Sequence, residues 1–206
     1  MRSMEAPWDL EDVIVTPKLD GRQSRVADRA LEARVTAELL RELAKAPEEF
    51  FPKLVEAVLE FSNADSAGIS LLDDESKAFI WPAVAGGLDP YIGAGTPSDF
   101  GPCGTVLDRN APVLFSHPER HFTYLKPIKP ALEEVLLVPF HVNGKAMGTI
   151  WAVIHVAGRQ FDREDRRFLE SLSHFAATAY RVLTETGVLK TIIARLPKHP
   201  APQAEV

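Results

Sequence analysis

The chain has 206 residues, 46% of them hydrophobic and 25% charged, a balance that excludes overall disorder and leaves room for one domain with appended helices. Its formal net charge of −6 argues against broad binding to nucleic acid or an anionic membrane. The single cysteine excludes an intrachain disulfide and suits a reducing compartment. Acidic residues stand where a signal peptide would be basic, and no apolar run approaches the roughly 18 residues of a membrane span. A cytoplasmic protein is the expectation.

Residues 1–25 mix Pro, Asp, Gly and Ser without period and predict a flexible tail. Residues 26–46 are rich in Ala, Leu, Glu and Arg, and Leu31, Val35, Leu39 and Leu43 recur at i+4, so a helix with one apolar stripe is predicted. Pro47 ends it. A second helix follows over 48–62, with Phe51, Leu54, Val55 and Val58 inward. The period then becomes that of strands. Strands are predicted over 67–72 and 77–85, joined by a turn at Asp73-Asp74-Glu75-Ser76.

From Leu88 to Leu132 no period persists, and seven prolines fall there. An irregular stretch this long inside a compact domain is usually functional. Within it, Ala111 to Phe115 reads as one short strand. Strands over 134–142 and 145–156 flank Asn143-Gly144, a strong hairpin signal. Asp162 then caps a long helix, its first turn acidic with Glu164 and Asp165.

The centre of the irregular stretch is Asp99-Phe100-Gly101-Pro102-Cys103-Gly104-Thr105. It predicts a sharp turn into a helix starting near Pro102, whose free N–H groups form one wall of a pocket. Cys103 reads either as a half-buried thiol packed like a small hydrophobe or as a pocket residue near the helix start. His117 and His121 stand four apart, but Pro118 makes His117 a cap, so metal ligation is set aside. His141 and His155, on strands amid apolar neighbours, read as structural hydrogen-bonding residues. Trp81 and Trp151 alternate with smaller residues and suit either the core or a pocket floor. Phe122 and Tyr124 complete the candidate lining, and Asp99 either caps the turn or meets a ligand.

The order helix, helix, strand, strand, irregular stretch, strand, strand, helix resembles a GAF domain, the small-molecule sensing module of bacterial signalling proteins. The motifs that carry the likeness are Ser66-Ala67-Gly68-Ile69-Ser70-Leu71-Leu72, Phe100 to Leu107, Phe115 to Phe122, Leu137-Val138-Pro139-Phe140-His141, Gly148-Thr149-Ile150-Trp151, and Phe161-Asp162 with Glu164-Asp165. Together they span about Pro47 to Tyr180 and look like the GAF domains found ahead of PAS and histidine-kinase modules. The resemblance implies an α+β fold: an antiparallel sheet of five to six strands, terminal helices on one face, and the irregular section covering a ligand on the other. The domain with its flanking helices would occupy 26–186, and a helix extension and tail 187–206.

The implied ligand-binding residues are Trp81, Asp99, Phe100, Cys103, Thr105, His121, Phe122, Tyr124 and Trp151, for an unidentified small molecule and with no cofactor specified. Tetrapyrrole binding, of a bilin or haem through Cys103 or through His117 and His121, is the alternative that the resemblance raises. Gly104 stands where bilin-attaching relatives commonly have histidine after the cysteine. Catalysis is not expected, because the sulfoxide-reducing GAF family needs two cysteines and this chain has one. Phe168, Leu172, Phe175, Ala179, Val182, Thr186, Leu189, Ile193 and Leu196 repeat at four and three, weakly at Thr186-Gly187. The expectation is a homodimer through 26–46 and 162–196 that signals in trans to a histidine kinase or other output protein, the chain standing alone or being cut from a larger receptor.

Overall fold

A computed structural model describes residues 8–199; the outer parts of both expected tails, 1–7 and 200–206, lie outside the described residues. In chain order the elements are α1 (Leu10–Val13), α2 (Thr16–Asp20), α3 (Arg29–Lys45), α4 (Phe50–Phe61), β1 (Ser66–Asp73), β2 (Ala78–Gly86), β3 (Gly95–Pro97), α5 (Pro102–Arg109), β4 (Val113–Ser116), β5 (Glu134–Val142), β6 (Lys145–Ile154), α6 (Arg163–Glu185) and α7 (Val188–Arg195). The six strands form one antiparallel sheet in the order β3-β2-β1-β6-β5-β4. Asn143 and Gly144 both have positive φ, as the tight β5–β6 hairpin requires.

The strand period sorts side chains into two cores. Ala67, Ile69 and Leu71 of β1 point with Ile150, Ala152 and Ile154 of β6 into the helical layer, against Phe50, Leu54, Phe168, Leu172 and Ala176. Trp151 and Val153 of β6 point the other way, with Val135, Leu137 and Phe79, under the covering section. Both faces are therefore buried, which explains the nearly continuous apolar run of β5. The fold is the α+β architecture that the motif order implies.

Residues 9–22 differ from the expected tail. They form α1 and α2, bury Val13 and Leu19 completely, and bridge Ile14 to Phe115 on the outer edge of β4. Val15 N–H donates to Leu114 O at 2.8 Å, and Thr16 Oγ1 accepts from Leu114 N–H at 2.9 Å, so the segment covers an otherwise open sheet edge. Arg22 anchors it: its guanidinium makes two bonds to the Glu134 carboxylate, at 2.6 and 2.9 Å, and a third to Phe161 O at 2.7 Å.

The long C-terminal helix also departs from expectation. Gly187, at φ 78, turns the chain in the left-handed region, which costs glycine little. α7 then folds back on α6 and the 3-10 turn at Pro47–Glu49. Leu189 is 7% exposed within the helical core, so a seam residue expected to meet a second copy is already covered within the chain.

Glu134→Gln should lower unfolding stability by about 3 kcal/mol in urea, since Arg22 would keep a buried charge without its carboxylate. An unchanged midpoint would mean that the N-terminal segment contributes nothing to the fold.

Candidate functional site: a cavity between sheet and cover

The covering section runs from residue 87 to 132 and is tied down at both ends. Ser66 Oγ accepts from Leu88 N–H at 3.0 Å and lies 2.7 Å from His155 Nε2. His155 Nδ1 lies 2.7 Å from Ala131 O and so carries the proton, which leaves Nε2 to accept from the Ser66 hydroxyl. One buried serine thus fixes the first and last turns of the cover. This is the structural role expected of His155, and His141 has the same kind of role, with Nε2 2.6 Å from Asn110 Oδ1.

Beneath the cover lies an apolar cavity of about 50 Å³. Trp81, Trp151, Leu137 and Val153 form its floor and Pro102, Cys103, Leu125 and Leu132 its roof. A slip in the β1–β2 register sets Trp81-Pro82 opposite Ser70 alone, where Pro82 has no N–H for the ladder. Trp81 instead pairs by its backbone with Gly93 and Ala94, at 2.9 and 2.8 Å. Trp151 lies across β1 over Gly68, where a Cβ would come within 2.1 Å of its ring. Trp81 meets it edge-on, with ring centroids 5.3 Å apart.

The inner wall is closed by a buried polar cluster. Ser70 Oγ accepts from the Trp151 indole N–H at 2.9 Å and from the Cys103 thiol at 3.3 Å, and Thr149 Oγ1 donates to the sulfur at 3.5 Å. Burial pushes the Cys103 thiol above its ordinary range, and the hydroxyls around it offset only part of that. Cys103 is therefore a neutral thiol, and the start of α5 does not make it a thiolate. By contrast, Trp81 Nε1, Thr96 Oγ1 and Tyr124 Oη are buried without hydrogen-bond partners. Thr96 faces the Cys103 sulfur without reaching bonding geometry.

Of the residues singled out from the sequence, Trp81, Cys103 and Trp151 line the cavity. Tyr124 places its hydroxyl at the cavity's edge, 2.7 Å from where a Gly101 Cβ would stand. The others lie outside the lining. Asp99 and Phe100 are exposed, because extended Gly101 turns them away before α5 begins. Thr105 spends its hydroxyl on Gly101 O, at 3.0 Å. His121 binds Trp8 O through Nδ1 at 2.6 Å. Phe122 packs between Phe100 and Phe115. His117 sits 3.5 and 3.6 Å from Glu119 and Glu133, also outside the lining. Ser70, Thr96 and Thr149 were missed; their only signal is that small polar residues recur on the cavity-facing positions of otherwise apolar strands.

An antiparallel sheet with helices on one face and a tied cover over a cavity on the other defines a ligand-binding sensory module. The sequence matches the family model of the GAF domain over residues 44–180, and the chain belongs to the GAF domain family. No curated protein matches it. Among solved structures it is similar to the GAF domain of an Acinetobacter phosphoenolpyruvate-protein phosphotransferase, 19% identical over 79% of this chain and 98% of that one, with TM-score 0.66. It is also similar to free methionine-R-sulfoxide reductase from Neisseria meningitidis in complex with its substrate (16%; 80% and 97%; TM-score 0.62). A third is the chromophore-binding domain of a Stigmatella aurantiaca bacteriophytochrome (18%; 78% and 62%; TM-score 0.58). At these identities the likeness concerns the fold. Among the described residues, no helix is long and apolar enough to cross a membrane.

Because the folded chain keeps the Cys103 proton while the unfolded chain releases it near pH 8.5, stability should fall as pH rises beyond that value, by up to about 1.4 kcal/mol per pH unit. Cys103→Ser should remove this part of the alkaline loss. Urea melts of both proteins at pH 8 and pH 10 check it, and parallel losses would show that the thiol ionises freely in the fold.

Proposed function

We propose that this GAF domain binds a small molecule between sheet and cover and signals its presence through the terminal helices. The observation that carries the reading is a contact between the cover and the C-terminal segment. His199 Nε2 donates to Ile92 O at 2.8 Å, and at Gly93 (φ 85) a Cβ would come within 2.3 Å of Pro197 O. Gly93 N–H in turn donates to Trp81 O, on the cavity floor, at 2.9 Å. A ligand that displaces Trp81 or lifts the cover therefore pulls on the segment that follows α7.

Dimerisation through α3, α6 and α7, and an output partner such as a histidine kinase, belong to the same proposal. Leu40 and Ile193, 50% and 37% exposed, are the side chains left to make such an interface. The reading is of a sensor rather than an enzyme, since the one cysteine is enclosed and neutral and has no second thiol to resolve a disulfide. Tetrapyrrole attachment has less support: Cys103 is 3% exposed, and His117 and His121 lie outside the cavity lining.

Native mass spectrometry of protein taken directly from cells should show a co-purifying small molecule, and its absorption spectrum should lack a tetrapyrrole band. Gly93→Ala should loosen the C-terminal contact, so that amides over 188–196 exchange with solvent about 10-fold faster by mass spectrometry. Unchanged exchange there would remove the route from the cavity to α7. Leu40→Asp with Ile193→Asp should convert the dimer to monomer by light scattering without unfolding it, and an unchanged dimer would exclude these helices as the interface.

A further inference from the structure

The chemistry of the cavity wall narrows what fills it, an inference that rests on the sensor reading above. The lining carries no charged side chain. Ser70, behind Trp151 and Cys103 of the lining, already accepts two hydrogen bonds. The unused capacity includes one obligate donor and hydroxyls that can donate or accept. Trp81 Nε1 can only donate, and the residue is 8% exposed; Thr96 is 3% exposed, and its hydroxyl is equally unpartnered. The two stand as diagonal neighbours across β2 and β3, because Thr96 pairs with Phe79.

Gly101 lets the Tyr124 hydroxyl approach the backbone closely at this end. A Cβ there would lie 2.7 Å from Tyr124 Oη, 3.3 Å from Pro97 O and 3.6 Å from Thr96 Cβ. Burial keeps the tyrosine hydroxyl protonated, so it too is a donor. The residues of the apolar chamber thus include one unpartnered obligate donor, on Trp81, and the unpartnered hydroxyl of Thr96, with that of Tyr124 close to Gly101.

We propose that the cavity takes a neutral, mainly apolar molecule with one oxygen acceptor of the carbonyl type, held by the Trp81 indole N–H with Thr96 and Tyr124 beside it. A hydrocarbon would leave the donors unpaired. An ammonium or a carboxylate would be buried without a counter-charge in the lining. The first residue of α5 is Pro102, which has no N–H to offer an anion.

The test uses the full chain with ¹⁵N-labelled indoles, assigned by tryptophan-to-phenylalanine variants and titrated with cyclopentanone, cyclopentane and cyclopentanecarboxylate. Cyclopentanone should move the Trp81 indole N–H resonance saturably and more than that of Trp151, whose N–H is already taken by Ser70. Trp81→Phe should weaken cyclopentanone binding about 3- to 10-fold, the worth of one hydrogen bond, and leave cyclopentane binding unchanged. If Trp81→Phe does not fold, Tyr124→Phe serves with the same readout and a smaller expected loss. Tighter binding of the carboxylate than of the ketone would overturn the proposal. Equal binding of ketone and cyclopentane would overturn it too, while leaving the cavity itself as a binding site. If none of the three moved a cavity resonance, the sensor reading would fall with it.

Discussion

The fold depends on Trp151 lying flat across β1. Gly68 exists at its position because the indole takes the volume that any side chain would need, and Ser70 two residues on receives the indole N–H. These contacts join the two central strands on the face away from the helices. An indole N–H buried without its acceptor would cost about 1–3 kcal/mol, so ring and hydroxyl are set together. The same serine takes the Cys103 thiol, which seats the start of α5 on the sheet. Floor and roof of the cavity are thus built from one hydrogen-bonded cluster.

The two buried tryptophans of the cavity show how one environment gives opposite results. Trp151 is saturated and rigidly backed by β1, whereas Trp81 sits at a register slip caused by Pro82 and has an N–H without a partner. Native interiors rarely leave such donors idle. Two of the idle groups, on Thr96 and Tyr124, lie by Gly101, and Trp81 is a diagonal neighbour of Thr96, while the polar cluster around Ser70 is fully paired. Ser66 and His155 hold the ends of the cover, the Ile92–Ala94 turn and β3 pair with β2, and Cys103 bonds Ser70.

Much of the fold was legible because it rests on local rules. Asn143-Gly144, Asp162 with its acidic first turn, and the period change after Asn63 each act within a few residues. What was not legible depends on distant partners. Residues 9–22 are helical and buried because Arg22 finds Glu134 and Ile14 finds Phe115, more than 100 residues away, and no period in so short a stretch could announce it. The heptad pattern past Val182 is met within the chain at Leu189, since Gly187 lets α7 fold back, while Ile193 stays exposed. In the site, Trp81, Trp151 and Cys103 were readable from strand alternation and the Gly-Pro-Cys turn. That Asp99 and Phe100 stand outside the lining was not legible, because the direction of a side chain ahead of an extended glycine is set by the loop and not by its neighbours in sequence. Ser70 and Thr96 stayed hidden because a small hydroxyl on a strand looks the same whether it is idle, structural or bound.

These misplacements bear on how the domain can transmit anything. A single helix leaving the domain would be pushed only through its packing on the sheet, far from the cover. Folding α7 back brings residues 196–199 onto the Ile92-Gly93 turn, directly behind Trp81. The path from cavity floor to C-terminal segment then comprises one backbone hydrogen bond and one close backbone contact. Both sit at a glycine whose φ and lack of a side chain are required by the approach. A coupling that short needs no propagation through the sheet. The C-terminal segment thus meets the cover at the one turn whose backbone also pairs with Trp81 of the cavity floor.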